Sequence, residues 1–96
     1  MAILKRFRRQ KVGDEAARRS SLLRSGRLVD GMIIDANHSP DGGITHVFYS
    51  YHINGVEYES SQLLDEDQQR RHIEYSPGAL VRVRYDPRQP VNSVVV

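Results

Sequence analysis

The chain has 96 residues, of which 39% are hydrophobic and 27% are charged, the proportions of one small globular domain. This composition excludes a wholly disordered chain, and no apolar run approaches the roughly 20 residues that a membrane-spanning helix needs. The sequence contains no Cys, which excludes disulfides, thiolate metal ligands and Cys nucleophiles. The formal net charge is only +2.

The charges are distributed unevenly along the chain. Residues 1–27 contain nine basic side chains and two acids, a net charge of +7, whereas residues 28–96 contain five Arg and ten acids, a net charge of −5. A basic segment of this density is attracted to anionic lipid surfaces and to nucleic acid. We therefore predict a flexible basic arm over residues 1–13. Its predicted partner-binding residues are Lys5, Arg6, Phe7, Arg8, Arg9 and Lys11.

Residues 14–25 have the composition of a helix. Asp14 can cap the N-terminus, good helix formers follow it, and small or apolar residues recur at spacings of three and four. Gly26 stands where helices commonly end. We expect this helix to pack on one end of the domain and to add Leu22 and Leu23 to its core.

From residue 28 onward, apolar and polar residues alternate, and β-branched and aromatic side chains are frequent, which is typical of strands. The predicted strands are 28–36, 44–53, 56–62, 80–85 and 91–96. Pro90 is expected to delay the last strand, and a polar stretch between the third and fourth strands predicts a short helical insertion. The pattern predicts a single all-β domain over residues 14–96, a small five-stranded antiparallel barrel or half-barrel with an N-terminal α-helix.

The dipeptide Asn54-Gly55 predicts a two-residue hairpin turn, because both central positions of that turn require positive φ. Such a turn sets the register of the two flanking strands, so that Ile53 faces Val56 and His52 faces Glu57 on the outer side. A slip of one residue would exchange the two faces of the sheet. The face predicted to be buried carries Val47, Tyr49, Tyr51, Ile53, Val56 and Tyr58.

Two groups of residues raise the hypothesis of an enzyme or a metal site. His38 and His46 flank the turn that contains Asp41, and two imidazoles with one carboxylate can bind a metal ion. The pair His52 and Glu57 has the chemistry of a base and its orienting carboxylate, but no nucleophile lies beside it in the sequence. Solvent-exposed histidines and a surface cross-strand pair explain both groups, so we predict no catalytic, cofactor-binding or metal-binding residues.

The tyrosines raise the alternative hypothesis of a nucleic-acid-binding β-barrel, because small barrels stack bases on exposed aromatic rings. The predicted register instead places Tyr49, Tyr51 and Tyr58 with the core residues. The outward positions of the same hairpin include Glu57 and Glu59, which repel phosphate. The alternative therefore depends on the basic arm rather than on the strands.

Three groups of residues recur in a familiar order. The first is Gly31-Met32-Ile33, and the second is the run from Tyr49 to Tyr58 around Asn54-Gly55. The third is Gly78 followed by Val81-Arg82-Val83-Arg84-Tyr85-Asp86-Pro87-Arg88-Gln89-Pro90. This order resembles a widespread bacterial family of small β domains of unknown function, often found beside transmembrane helices. The resemblance covers about residues 22–96 and implies a barrel-like β domain at a membrane face, with no enzymatic activity.

These observations together predict a non-catalytic interaction module that binds a protein. We expect it to be cytoplasmic and to lie at the inner membrane surface through its basic arm, with no cofactor. The terminal residues Val94, Val95 and Val96 form an apolar edge that must be paired or covered. Self-association through this edge strand, as a homodimer, is a further expectation.

Overall fold

A computed structural model describes residues 12–96 of the chain. Helix α1 begins two residues before the predicted start and is followed by two strands, a third strand after a tight turn, the helical insertion and two further strands. The elements are α1 (Val12–Ser25), β1 (Arg27–His38), β2 (Ile44–Ile53), β3 (Val56–Leu63), α2 (Glu66–Arg70), a 3₁₀ helix (His72–Tyr75), β4 (Leu80–Asp86) and β5 (Gln89–Val95).

The five strands form one sheet in the order β3-β2-β1-β4-β5, and every neighbouring pair is antiparallel. The sheet curls until β3 and β5, its two end strands, contact each other in a nearly closed barrel. The predicted all-β fold is therefore confirmed. Because an antiparallel sheet alternates strand direction, the first and fifth strands in this order run the same way. β3 and β5 are therefore parallel where they meet, and we call this contact the parallel seam.

The hairpin between β2 and β3 has the predicted turn and register. Asn54 and Gly55 have φ values of 52° and 81°, as a two-residue turn with two left-handed positions requires. Ile53 pairs with Val56, and the register continues without a slip to the pair of His46 with Leu63. The local turn therefore determines which face of the hairpin is buried.

The core lies inside the barrel and combines inward residues of all five strands. Ile33 of β1 and Val83 of β4 are fully buried, and the 3₁₀ helix contributes Tyr75. At the tip of the hairpin the prediction was wrong for Val56, which is 51% exposed because no other part of residues 12–96 covers it. The buried apolar cluster consists of Ile33, Ile44, Val47, Tyr49, Tyr51, Leu64, Tyr75, Val81, Val83, Tyr85 and Val95.

Helix α1 packs against β4 and β5. Leu22 is buried at this contact, as predicted, whereas Leu23 is 46% exposed and does not join the core. The difference follows from helical geometry, since adjacent residues on a helix point about 100° apart. The helix ends at Gly26, whose N–H donates to the Leu22 carbonyl at 2.7 Å. A Cβ at Gly26 would lie 2.6 Å from that same oxygen, so a larger residue does not fit there.

The helical insertion begins with a capping box. The Asp65 carboxylate accepts a hydrogen bond from the Gln68 backbone N–H, and the Gln68 side chain accepts one from the Asp65 N–H. This arrangement holds the Gln68 side chain in a buried position beside the end of β5. The run Asp65-Glu66-Asp67 is thus the start of a helix.

Strand β5 begins earlier than the sequence predicts. It starts at Gln89 and includes Pro90, because Asp86 pairs directly with Gln89 across a tight turn. The Asp86 carboxylate accepts from the Arg88 N–H at 2.9 Å and stabilises this turn. Pro90 is accommodated because the strand lies at the edge of the sheet, where a missing N–H breaks no ladder bond.

Candidate functional site

The six residues that the sequence predicts to bind a partner lie outside the described part of the chain. They are Lys5, Arg6, Phe7, Arg8, Arg9 and Lys11, and the described residues are 12–96. Among the described residues, none of the helices combines the length and the apolar character that a bilayer crossing needs. In the described part of the chain, the candidate site is the surface of the barrel next to helix α1.

One half of the parallel seam, which contains Gln62, Leu63 and Val95 and is called the lower half, is closed by side chains. The Gln62 amide of β3 accepts from the Val95 N–H at 2.9 Å and donates to the Val95 carbonyl at 3.3 Å. The Gln68 amide donates to the same carbonyl at 2.9 Å. Both glutamines are buried, so each of these bonds satisfies a group that water does not reach. Two amides therefore replace the backbone ladder that is missing between β3 and β5.

Two arginines of helix α1 also bind the two strands in this lower half of the seam. Arg18 donates to the carbonyl of Ser93 and to the Asn92 side chain on β5, each at 2.8 Å. Arg19 donates to the Leu63 carbonyl on β3 at 2.5 Å. Glu15 accepts from both guanidinium groups, at 2.8 to 3.0 Å. We call Glu15, Arg18 and Arg19 the arginine clasp, because one carboxylate orients two arginines toward the two edges of the seam.

The electrostatics of the arginine clasp favour its charged form. The hydrogen bond from Arg18 lowers the pKa of the Glu15 carboxyl, with Arg19 adding to the effect against a partial desolvation. The side chains of Arg18 and Arg19 are only 19% and 20% exposed. Since both guanidinium groups already bind a carboxylate and strand carbonyls, they hold the barrel together rather than offering an open anion site.

A cleft of about 360 Å³ remains between the clasp and the two end strands. Its walls come from residues 60–63 of β3, Val91 and Asn92 of β5, the clasp itself and His46. The cleft follows the seam, and most of the side chains that line it are polar or charged.

The upper half of β3 is the half next to the hairpin turn. There the backbone groups on the outer edge of the strand have no hydrogen-bond partner among the described residues. Ile53 and Val56 flank a two-residue turn and form a hydrogen-bonded pair, and such pairs alternate along an antiparallel ladder. The N–H and C=O groups of Glu57, Glu59 and Ser61 therefore point away from β2, toward the seam. Leu63, two residues further on, follows the same alternation, and its carbonyl is the one that Arg19 binds. Within residues 12–96, nothing is hydrogen-bonded to the outward backbone groups at positions 57, 59 and 61.

The residues of the metal hypothesis do not come together. No group of three or more potential ligands exists in the described part of the chain. His46 instead lies beside Phe48 in a tilted arrangement, with ring centroids 5.0 Å apart, and partial burial lowers the pKa of its imidazole. Asp41 accepts from the Ser39 hydroxyl and the Gly43 N–H, which lower the pKa of its carboxyl and shape the turn. His38 is exposed at the end of β1.

The predicted pair of His52 and Glu57 lies on the outer face of the hairpin, as expected from the register. Its Nε2 and Oε1 atoms are 3.8 Å apart, and both side chains are more than half exposed. The remaining histidine, His72, shares a small polar pocket with Asp41. The buried Nδ1 atom of His72 has no hydrogen-bond partner among the described residues. Sequence reasoning assigned no role to His72, and nothing else in that pocket identifies a ligand.

The tyrosines form a stacked row inside the barrel. Tyr49 and Tyr51 have ring centroids 5.8 Å apart, and Tyr51 and Tyr58 have centroids 5.6 Å apart. The Tyr49 hydroxyl bonds the Ser93 hydroxyl at 2.7 Å, and the Tyr51 hydroxyl donates to the Pro90 carbonyl at 2.5 Å. Burial raises the pKa of both phenols. The faces of Tyr49 and Tyr51 are packed in the core and are not available for stacking on a base.

The structure reveals two features that sequence reasoning missed. The first is the role of Gln62, which the predicted register already placed opposite Val47 on the buried face. A polar residue at a core position was the available signal, since buried amides require partners. The second is the arginine clasp. The helical spacing of Glu15, Arg18 and Arg19 was an available signal for the ion pairs. The contact of Arg18 with Ser93, 75 positions away, leaves no local signal in the sequence.

Comparison with known proteins assigns the chain to a family. No curated protein matches it, and no solved structure does. Residues 25–96 match the model of a family described as a domain of unknown function, DUF3592. The match covers three quarters of the chain and includes all five strands and the helical insertion. The chain therefore belongs to the DUF3592 family.

Proposed function

We propose that the protein is a non-catalytic interaction module whose basic N-terminal segment holds it at an anionic membrane surface, facing the cytoplasm, while the barrel binds a protein partner. The observation that carries the membrane part is the separation of charge. Residues 1–11 contain five basic side chains and no acid, whereas residues 28–96 have a net charge of −5. A basic segment next to a mildly acidic body favours binding to an anionic surface through that segment alone.

The arginine clasp sharpens this argument. Arg18 and Arg19 also belong to the basic half of the sequence, but both are committed to Glu15 and to strand carbonyls. Their charge therefore serves the fold. The basic groups left for a partner are concentrated before residue 12, at the start of a helix that is anchored to the barrel.

The geometry of the barrel supports a binding role over a catalytic one. The buried polar side chains Gln62, Gln68 and Ser93 are hydrogen-bonded within the fold. The cleft runs along the seam between β3 and β5, and, within residues 12–96, His46 is the one histidine in its walls. Exposed backbone edges and clefts of this kind are used by proteins to bind other polypeptides.

Vesicle sedimentation tests the membrane part. The full chain is incubated with vesicles containing an anionic lipid and with neutral vesicles at two salt concentrations. The triple variant Arg6→Gln, Arg8→Gln, Arg9→Gln should bind the anionic vesicles about 100-fold more weakly, since each basic residue near the surface contributes about 1 kcal/mol. Binding of the wild-type chain should fall with salt.

A matched control removes the same charge from the barrel. The variant Arg70→Gln, Arg82→Gln, Arg88→Gln has the same net charge as the triple variant, and all three side chains are exposed. It should bind anionic vesicles nearly as well as the wild-type chain. Equal losses in the two variants would show that net charge alone drives binding, and absence of vesicle binding by the wild-type chain would refute the membrane part.

Nucleic acid is the other anionic polymer that the basic segment can attract. A gel mobility shift with single-stranded and duplex DNA, carried out on the same two variants, separates the alternatives. We expect only weak binding that disappears with salt, because the rings of Tyr49 and Tyr51 are packed in the core. Tight, salt-resistant binding of single strands would favour the nucleic-acid function over the membrane one.

A further inference from the structure

The two halves of the seam between β3 and β5 differ in how their backbone groups are satisfied. In the lower half, Gln62, Gln68 and the arginine clasp bind the edge groups of Leu63, Ser93 and Val95. In the upper half, the outward N–H and C=O groups of Glu57, Glu59 and Ser61 have no partner within residues 12–96. All three residues are exposed, so this edge is open to another molecule.

We propose that the edge of β3 from Glu57 to Ser61 binds an extended segment of a partner protein, which adds to the sheet as an antiparallel strand. This inference rests on the proposed role as a protein-binding module and identifies the binding surface. Main-chain hydrogen bonds to the free edge supply the attraction, and alternate side chains of the bound segment supply specificity. The cleft of about 360 Å³ beside residues 60–63 receives the end of the segment that reaches the seam.

Strand direction favours the antiparallel arrangement. β3 and β5 run the same way because they are the first and fifth strands of an alternating sheet. A sixth strand that runs against β3 also runs against β5. An antiparallel guest on β3 therefore continues the alternation of strand directions in the sheet.

The side chains beside the edge define the chemistry of the guest. Glu57 and Glu59 lie on the outer face, and Tyr58 lies between them on the inner face, half-buried. In an antiparallel pair, directly opposite residues share a face of the sheet. The guest therefore carries two basic residues opposite the glutamates, with an apolar residue between them that packs beside Tyr58.

Selection from a random decapeptide library displayed on phage, with the full chain as bait, tests the proposal. The selected sequences should share a basic–apolar–basic tripeptide. Synthetic peptides with those sequences should then bind the variant Glu57→Lys, Glu59→Lys about tenfold or more weakly than the wild-type chain, because two attractive pairs become repulsive. The control variant Glu66→Lys, Glu74→Lys, with the same charge change in the helical insertion, should change affinity less than about twofold.

A backbone test distinguishes strand addition from a surface charge contact. N-methylation of the peptide at every other amide should weaken binding about tenfold or more, whereas methylation of the intervening amides should not, because only alternate N–H groups face β3. The variant Glu59→Pro removes one outward N–H and should weaken binding to a similar degree. Circular dichroism establishes that each variant is folded, and the charge reversal tests the edge independently if Glu59→Pro is not.

The outcomes separate this inference from the proposed function. Selected peptides that bind the wild-type chain and the edge variants equally would overturn the edge as the site, although the protein would still be a peptide binder. Failure to select any peptide would count against protein binding itself and leave the vesicle result unaffected. Tighter peptide binding by the full-length variant Arg6→Gln, Arg8→Gln would overturn the choice of a partner protein, since the chain's own Arg6-Phe7-Arg8 would then be the occupant.

Discussion

The two end strands of this sheet manage their free edges in opposite ways. Along β5, the arginine clasp and the amides of Gln62 and Gln68 bind the edge, and Ser93, Val94 and Val95 are at most 2% exposed. Along the upper part of β3, Glu57 and Glu59 are exposed beside backbone groups to which none of the described residues is hydrogen-bonded. A buried edge requires dedicated partners, whereas an exposed edge can remain open if charged side chains discourage self-pairing.

The state of the two edges affects whether the protein can self-associate. The sequence predicts that the apolar C-terminal strand must be paired or covered, and the structure covers it with side chains from α1, β3 and α2. A homodimer through β5 would have to displace these bonds. Two copies of β3 would bring Glu57 and Glu59 of each copy together, which like-charge repulsion opposes. The homodimer stays a prediction, and analytical ultracentrifugation of the full chain tests it.

The largest loss in the free energy of unfolding is expected when the contact of helix α1 that covers β5 is weakened. Leu22 is the buried contact of α1, so Leu22→Ala should lower the free energy of unfolding by about 3 kcal/mol. The matched variant Leu23→Ala, at an exposed neighbouring position, should cost much less. Urea denaturation monitored by circular dichroism measures both. Similar losses in the two variants would contradict the proposed packing of the helix.

The next effect comes from the amide that replaces the missing ladder. Gln62→Ala leaves the Val95 N–H buried without a partner and should lower the free energy of unfolding by about 2 kcal/mol. Ser61→Ala, one residue away on the exposed face, should change it by less than about 0.5 kcal/mol. Hydrogen exchange of the Val95 amide should accelerate in the first variant only. Unchanged protection of this amide would show that another group satisfies it.

A smaller effect is expected from the arginine clasp. Arg18→Gln removes the bonds to Asn92 and Ser93 and should lower the free energy of unfolding by about 1 kcal/mol. Arg82→Gln removes only an exposed pair with Asp30, at 3.4 Å, and should have little effect. Thermal denaturation of both variants in low salt checks the difference. A larger loss from Arg82→Gln would mean that surface charge rather than closure of the seam stabilises the barrel.

The smallest effect is a dependence of stability on pH. Burial lowers the pKa of His46, so the unfolded chain binds the proton more readily and stability falls as the pH drops below about 6.5. The hydrogen bond from Arg18 lowers the pKa of Glu15, so its contribution is complete above the ordinary Glu range and is lost at more acidic pH. Urea midpoints measured from neutral to acidic pH should decline in these two stages. His46→Gln should flatten the first stage and Glu15→Gln the second.

Much of the fold could be predicted because its signals are local. The turn at Asn54-Gly55, the alternation along β2 and β3, and Gly26 after the helix each depend on neighbouring residues. The errors occurred where long-range packing decides. Leu23 and Val56 are apolar but exposed because none of the described elements covers them, and β5 includes Pro90 because its edge position tolerates a missing N–H.

The sequence by itself determined the hairpin register, the inward residues of β2 and β4, and the separation of a basic N-terminal segment from an acidic body. Turn chemistry and period-two alternation act over a few residues, so they can be read without the fold. Only the tertiary structure decided which strand edge is satisfied and which stays open. That outcome depends on Gln62 reaching Val95, 33 positions away, and on Arg18 reaching Ser93, 75 positions away. Contacts over such separations form only when the whole sheet has curled, because the sheet itself brings these residues together.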